Sequence, residues 1–166
     1  MDTTRELFVE EVSDAYDAEH RFLTAMEEMQ GKAEDAELKK GITDHIAQTQ
    51  DHIEWLGEIF SRLERKPTRK TCDGAKGIVA DGQKSVGEVG ASTLRDSVIA
   101  AGLAKAEHYE IATYSALVAG AETMGNEPMA QVLKRILVQE QAVAERLGRA
   151  APTLLKKAAG EESAPR

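Results

Sequence analysis

Glu19, Glu107, Glu110 and Glu140 each stand where a helical repeat would place an apolar side chain, and His45 and His52 do the same on another segment. A carboxylate buried without a partner is costly or takes up a proton, so ionisable groups in an apolar seam need a chemical reason. A metal centre supplies one. Hard anionic oxygens terminate and bridge a pair of cations, imidazole nitrogens complete the sphere, and the metal charge offsets carboxylate repulsion. Two-iron or two-manganese sites in helical proteins commonly draw a Glu from each of two helices and Glu-x-x-His from two others. Here the corresponding segments read Glu107-x-x-Glu110, Thr49-x-x-His52 and Glu140-x-x-Val143. The expected ligand set is therefore Glu19, His45, His52, Glu107, Glu110 and Glu140 around iron or manganese, with His45 and His52 alternatives on their helix.

These side chains need long helices to hold them. The first amphipathic segment is capped by Asp2 or Thr3 and runs to about Gln30, with the seam Val12, Tyr16, Glu19, Leu23, Met26. A second, Asp35 to Arg65, carries Leu38, Ile42, His45, Thr49, His52, Leu56, Ile59 and Leu63, and ends on the approach to Pro67. Residues 66–92 read as a crossover with one short helix around Ile78 and Val79. A third long helix spans Ser92 or Thr93 to Gly125, with Leu103, Glu107, Glu110, Tyr114, Leu117, Ala121 and Met124 inward. The fourth follows Asn126 as N-cap and Pro128 in its first turn, and presents Leu133, Ile136, Glu140, Val143 and Leu147. Pro152 is expected to end it, giving a domain over 1–152 and a flexible tail over 153–166.

Four long helices joined tight, long, tight is the connectivity of an all-α, ferritin-like antiparallel four-helix bundle, with a long crossover between the second and third helices. Counting from the turns gives relative heights. Glu110 and Glu140 stand about fifteen residues either side of Gly125 and should meet across the core. With the first turn near Gly31 to Ala33, Glu19 matches His45, and His52 lies about 10 Å further along.

Composition narrows the alternatives. A hydrophobic fraction of 42% in 166 residues supports one packed core. The net charge of -8 argues against a broad nucleic-acid or anionic-lipid surface. The lone Cys72 allows no internal disulfide, and no run approaches membrane-spanning length, so a cytoplasmic, non-membrane protein is expected. The acidic run Glu10, Glu11, Asp14, Asp17 reads as a solvated face, Tyr109 and Tyr114 as packing residues whose hydroxyls complete a polar layer, and His20 and His108 as flanking residues. No phosphate-cradling glycine loop and no Gly-x-Ser-x-Gly is present.

The segments Tyr16-Asp-Ala-Glu-His20, His45-Ile-Ala-Gln-Thr-Gln-Asp-His52 and Lys105-Ala-Glu-His-Tyr-Glu-Ile-Ala-Thr-Tyr114 resemble the bacterial YciE/YciF stress-protein family over about residues 4–150. The resemblance implies a ferritin-like fold, a homodimer, a cytoplasmic location and a part in stress responses; it implies no established activity. A more distant similarity to rubrerythrin-like di-iron proteins, through Glu107-x-x-Glu110, implies Glu19, Glu107, Glu110 and Glu140 as ligands, with His52 in place of a helix-borne Glu. Two functions are compatible. One is a dinuclear iron or manganese protein acting on peroxide, dioxygen or Fe(II); the other is a non-catalytic stress-associated binding protein whose site has lost its metal. No catalytic residue follows from the sequence.

Overall fold

The computed structural model describes residues 1–162. They form five helices: α1 (Thr4–Lys32), α2 (Ala36–Arg62), α3 (Asp73–Glu88), α4 (Ser92–Thr123) and α5 (Glu127–Glu162). The ends are set by local chemistry. Thr3 and Glu6 make a reciprocal capping box at α1. Asp35 accepts from the Leu38 N–H at α2 (3.0 Å), and Asn126 from Met129 N–H at α5 (3.2 Å). Cys72 caps α3 with its sulfur, which accepts from Ala75 N–H. Gly125 separates α4 from α5 at φ 66, a left-handed conformation that suits glycine.

The interior is layered. One apolar cluster includes Phe8, Val12, Leu56, Phe60, Tyr114, Leu117, Leu133 and Ile136. A second includes Met26, Met29, Leu38, Ile42, Ile99, Val143, Leu147 and Leu154. Between them along every long helix come the polar residues: Glu19 on α1, His45, Thr49 and His52 on α2, Glu107 and Glu110 on α4, and Glu140 on α5, all buried. In chain order α1 and α5 pass from the first cluster to the second, and α2 and α4 pass back. Each helix thereby delivers its ionisable groups to one shared level.

The first apolar seam differs in detail from its sequence pattern: Ala15 and Phe22 are buried while Tyr16 and Leu23 are partly exposed. The helix is turned toward α3, where Ala18 and Phe22 meet Cys72, Ala75 and Ala106 in a small third cluster.

Pro152 does not end α5, which continues to Glu162. Proline removes one N–H and crowds the preceding turn, but the residues beyond it are anchored: Leu154 is 4% exposed and Ala158 2%, and Lys157 pairs with Asp35 at the α1–α2 turn. The expected flexible tail is thus helical as far as 162; residues 163–166 lie outside the described part. Among the described residues no helix is long and apolar enough to cross a membrane.

Candidate metal centre

The tight α1–α2 turn lies at 33–35, slightly later than the sequence suggested, and this changes the pairing across the first hairpin. Thr49, rather than His45, comes level with Glu19, with His45 about 6 Å to one side of that level and His52 about 4.5 Å to the other. Both then reach carboxylates, in different directions. His45 Nε2 lies 3.0 Å from Glu107 Oε1 and 3.8 Å from Glu140 Oε2. His52 Nδ1 lies 2.9 Å from Glu140 Oε1 and 3.4 Å from Glu19 Oε1. The expected Glu19–His45 match is replaced by Glu19–His52, while Glu110 and Glu140 come together as the heights required.

Two groups of possible ligand atoms result, one from His45, Glu107, Glu110 and Glu140, the other from Glu19, His52 and Glu140, each with its atoms within 4.8 Å of one another. All six residues expected from the sequence are present, and Glu140 belongs to both groups. Each group holds one imidazole. His45 brings to the first the nitrogen that Val143, buried in apolar surroundings, does not provide.

The neighbours orient these groups. Gln139 Oε1 is 2.7 Å from His52 Nε2; with Nε2 donating there, the lone pair of a neutral ring is left on Nδ1, facing the carboxylates. Gln48 Oε1 approaches His45 Nδ1 at 3.4 Å, which likewise leaves Nε2 inward. Tyr114 donates its hydroxyl to Glu19 Oε1. Neither glutamine stood out in the sequence; the available signal was position, Gln48 one turn beyond His45 and Gln139 beside Glu140. Tyr109, by contrast, turns away from the polar layer, its hydroxyl 2.9 Å from Cys72 Sγ.

Glu19 Oε2, His52 Nδ1, Glu107 Oε2, Glu110 Oε1 and both oxygens of Glu140 are buried without a hydrogen-bond partner. His52 Nδ1 is close to two carboxylates, but neither contact is aligned as a hydrogen bond. Orphaned polar atoms at this density are rare in proteins. They converge, are oxygen and nitrogen, and carry three or four potential donors per group, which fits hard or borderline divalent ions such as Fe(II) and Mn(II).

Without a cation the site settles by sharing protons. Burial pushes Glu107 and Glu110 well above the usual carboxylate range, with the nearby carboxylates adding to it, and burial also raises Glu19. Glu140 is held below its usual value: burial works against this, but His52 and His45 outweigh it. Burial pulls His52 down, yet Glu140 and Glu19 beside it carry it up to about 10, whereas burial prevails at His45 and lowers it. These directions favour protons on Glu107 and Glu110 and charge on His52 and Glu140.

Two cavities reach this level. One of about 370 Å³ runs between α2, α4 and α5, past Leu38, Ile42 and Leu147, to His45 and Glu107. A narrow one of about 40 Å³, walled by Met26, Val79, Val86 and Ile99, ends at His45, Glu107 and Glu110.

Two acids outside this level were hidden in the sequence. Asp17, expected on a solvated face, is 3% exposed. It accepts from Arg69 Nε at 2.9 Å, Cys72 N–H at 2.9 Å and Arg21 Nε at 2.5 Å. Asp96 accepts from the Glu34 and Asp35 N–H groups at 2.9 and 2.8 Å and fixes the α1–α2 turn on which the histidine heights depend.

Known proteins share this arrangement of helices. The Escherichia coli K12 protein YciF is 28% identical over 143 residues, 86% of each chain. The crystal structure of that stress protein superposes with a TM-score of 0.89 over 95% of this chain and 99% of its own. The Rhodopseudomonas palustris protein YcfI is 32% identical, with a TM-score of 0.87 over 89% of this chain and 94% of that one. A ferritin-like, diiron-carboxylate protein from Bacillus anthracis str. Ames has a TM-score of 0.71 over 91% and 99% of the two chains; at 14% identity it attests the ferritin-like fold alone. Residues 3–160 match the family described as "Domain of unknown function (DUF892)", and the chain belongs to that family.

Proposed function

We propose that this is a ferritin-like stress-response protein that binds two iron or manganese ions among Glu19, His45, His52, Glu107, Glu110 and Glu140. Its four long helices act as an antiparallel four-helix bundle, and the segment bearing α3 is the crossover. The observation that carries the reading is the set of buried, unpartnered carboxylate and imidazole atoms divided between two groups that share Glu140. Bound there, iron or manganese would supply one-electron redox chemistry toward peroxide or dioxygen, or Fe(II) would itself be the substrate. The chain's own residues support this reading. Gln139 and Gln48 set the ring orientations, Tyr114 orients Glu19, and the apolar clusters on either side exclude bulk water. Glu107 and Glu110 would have to give up any proton they carry to hold a cation, so uptake should weaken as pH falls.

The test is metal analysis of protein produced with supplied iron or manganese, with thermal melts of wild type, Glu110→Ala and Glu140→Ala. Wild type should hold close to two ions and melt higher when loaded; both variants should lose the ions and the shift. Wild type free of metal, with a melting temperature indifferent to it, sinks the proposal.

The second reading, a binding protein with an empty site, draws on Thr49 and Val143 standing where the di-metal pattern has Glu and His. It expects Glu110→Gln to be neutral or stabilising whether or not metal is supplied. The family resemblance further supports a cytoplasmic homodimer, which sedimentation of the purified chain would check.

A further inference from the structure

We propose that the cleft between α1 and the start of the crossover binds a small phosphate monoester, independently of any metal in the core. The cleft encloses about 360 Å³ and is lined by His20, Arg21, Thr24, Arg69 and Lys76 around a small apolar floor that includes Val79 and Ala80. No acidic residue lines it among the described residues. That is unusual for a chain of net charge -8.

The two arginines are already organised. Asp17, buried beneath them, takes the Nε of Arg21 and the Nε and Nη2 of Arg69. A guanidinium carries five N–H donors in a fixed fork, so most donors of Arg21 and more than half of those of Arg69 are left for a ligand. Asp17 offsets one of the three positive charges of Arg21, Arg69 and Lys76, and two remain, matching a phosphate dianion. Lys76 makes no ion pair among the described residues. Asp17 therefore holds both guanidiniums in place before a ligand arrives, at little entropic cost to binding, and Lys76 adds a point charge.

Size selects the class of ligand. Small-molecule sites typically enclose about 300–1,000 Å³, and a bare phosphate would occupy only a part of this one. The floor of Val79 and Ala80 suits the carbon body of a monoester. The cleft also shares Ala25, Val79 and Gln83 with the narrow cavity that leads to Glu107 and Glu110, so a bound ester would stand over the outer end of that passage.

Calorimetric titration of the full, metal-free chain with inorganic phosphate, adenosine 5′-monophosphate and adenosine tests this. Phosphate should bind saturably, the monophosphate more tightly, and adenosine not at all. Lys76→Glu should weaken both anions by about tenfold or more while leaving the ligand-free melting temperature nearly unchanged, since the Lys76 side chain makes no ion pair among the described residues. Absence of saturable anion binding overturns the proposal, as does equal binding by Lys76→Glu or adenosine binding as well as its monophosphate. A monophosphate that binds no better than phosphate overturns the role given to the apolar floor. Metal content does not enter any of these outcomes, so failure here leaves the metal centre untouched and the reverse also holds.

Discussion

Glu140 and Gln139 are adjacent in sequence and act together: one offers its carboxylate to both ligand groups, the other holds His52 with Nδ1 facing that carboxylate. Replacing Gln139 with Leu removes only the orienting partner. The expected result is a fall in metal affinity of about 10- to 100-fold with the helical content intact, measured by competition with a chromophoric chelator. Asp17 is the residue whose loss should be felt most outside the core, because Cys72 N–H, Arg21 and Arg69 all depend on it. Asp17→Ala should cost about 2–3 kcal/mol in denaturant unfolding, chiefly by orphaning a buried N–H and unpairing two arginines. Burial alone would raise the Asp17 carboxyl, but these three partners hold it below its ordinary 3.8. A depressed folded-state value means that its contribution is complete above 3.8 and disappears as pH falls through the lower, folded value. Wild type should therefore lose stability over that acidic window, and Asp17→Asn should lack that part of the loss.

At the level of elements, the seams on α2, α4 and α5 were legible because a spacing of three and four is the same information in sequence and in space. Leu38, Ile42, His45, Thr49, His52, Leu56 and Ile59 are all buried as read. What could not be read was anything dependent on where a turn falls within a residue or two. The placement of the turn at 33–35, tied by Asp96, decides which histidine meets Glu19, and Asp96 is 61 residues distant from Asp35. Asp17 looked like one more charge in an acidic run because two of its three partners, Arg69 and Cys72, come from the α2–α3 connection, 52 and 55 residues away. Pro152 misled for a related reason: its local penalty is real, but burial of Leu154 and Ala158 outweighs it. Pro152→Ala should restore the missing helix hydrogen bond and relieve the turn, raising stability by about 1 kcal/mol or more and the melting temperature by a few degrees. A lower melting temperature would mean that a bend at Pro152 is needed to seat Leu154.

For the molecule as a whole, a polar level lies between two apolar clusters, and every long helix contributes to it. Its electrostatics should then report on global stability. Saturating metal at about 100 times its dissociation constant would add about 2.7 kcal/mol, or roughly 5–10 °C in a chain of this size, reversed by a chelator. The helices do not share that stability evenly. Of the residues in α3 only Ala75 and Val86 are buried, and Gly74, Gly77, Gly82 and Gly87 interrupt it, whereas Val79 and Val86 wall the narrow passage to Glu107 and Glu110. Such a segment should open as a cooperative unit at a free energy well below that of global unfolding. Native-state hydrogen exchange should find its amides exchanging through sub-global openings while those of α2 and α5 wait for the whole chain. The rate at which ions pass through that narrow passage would then be set by how often one glycine-rich helix lifts away, a kinetic gate supplied by weak packing.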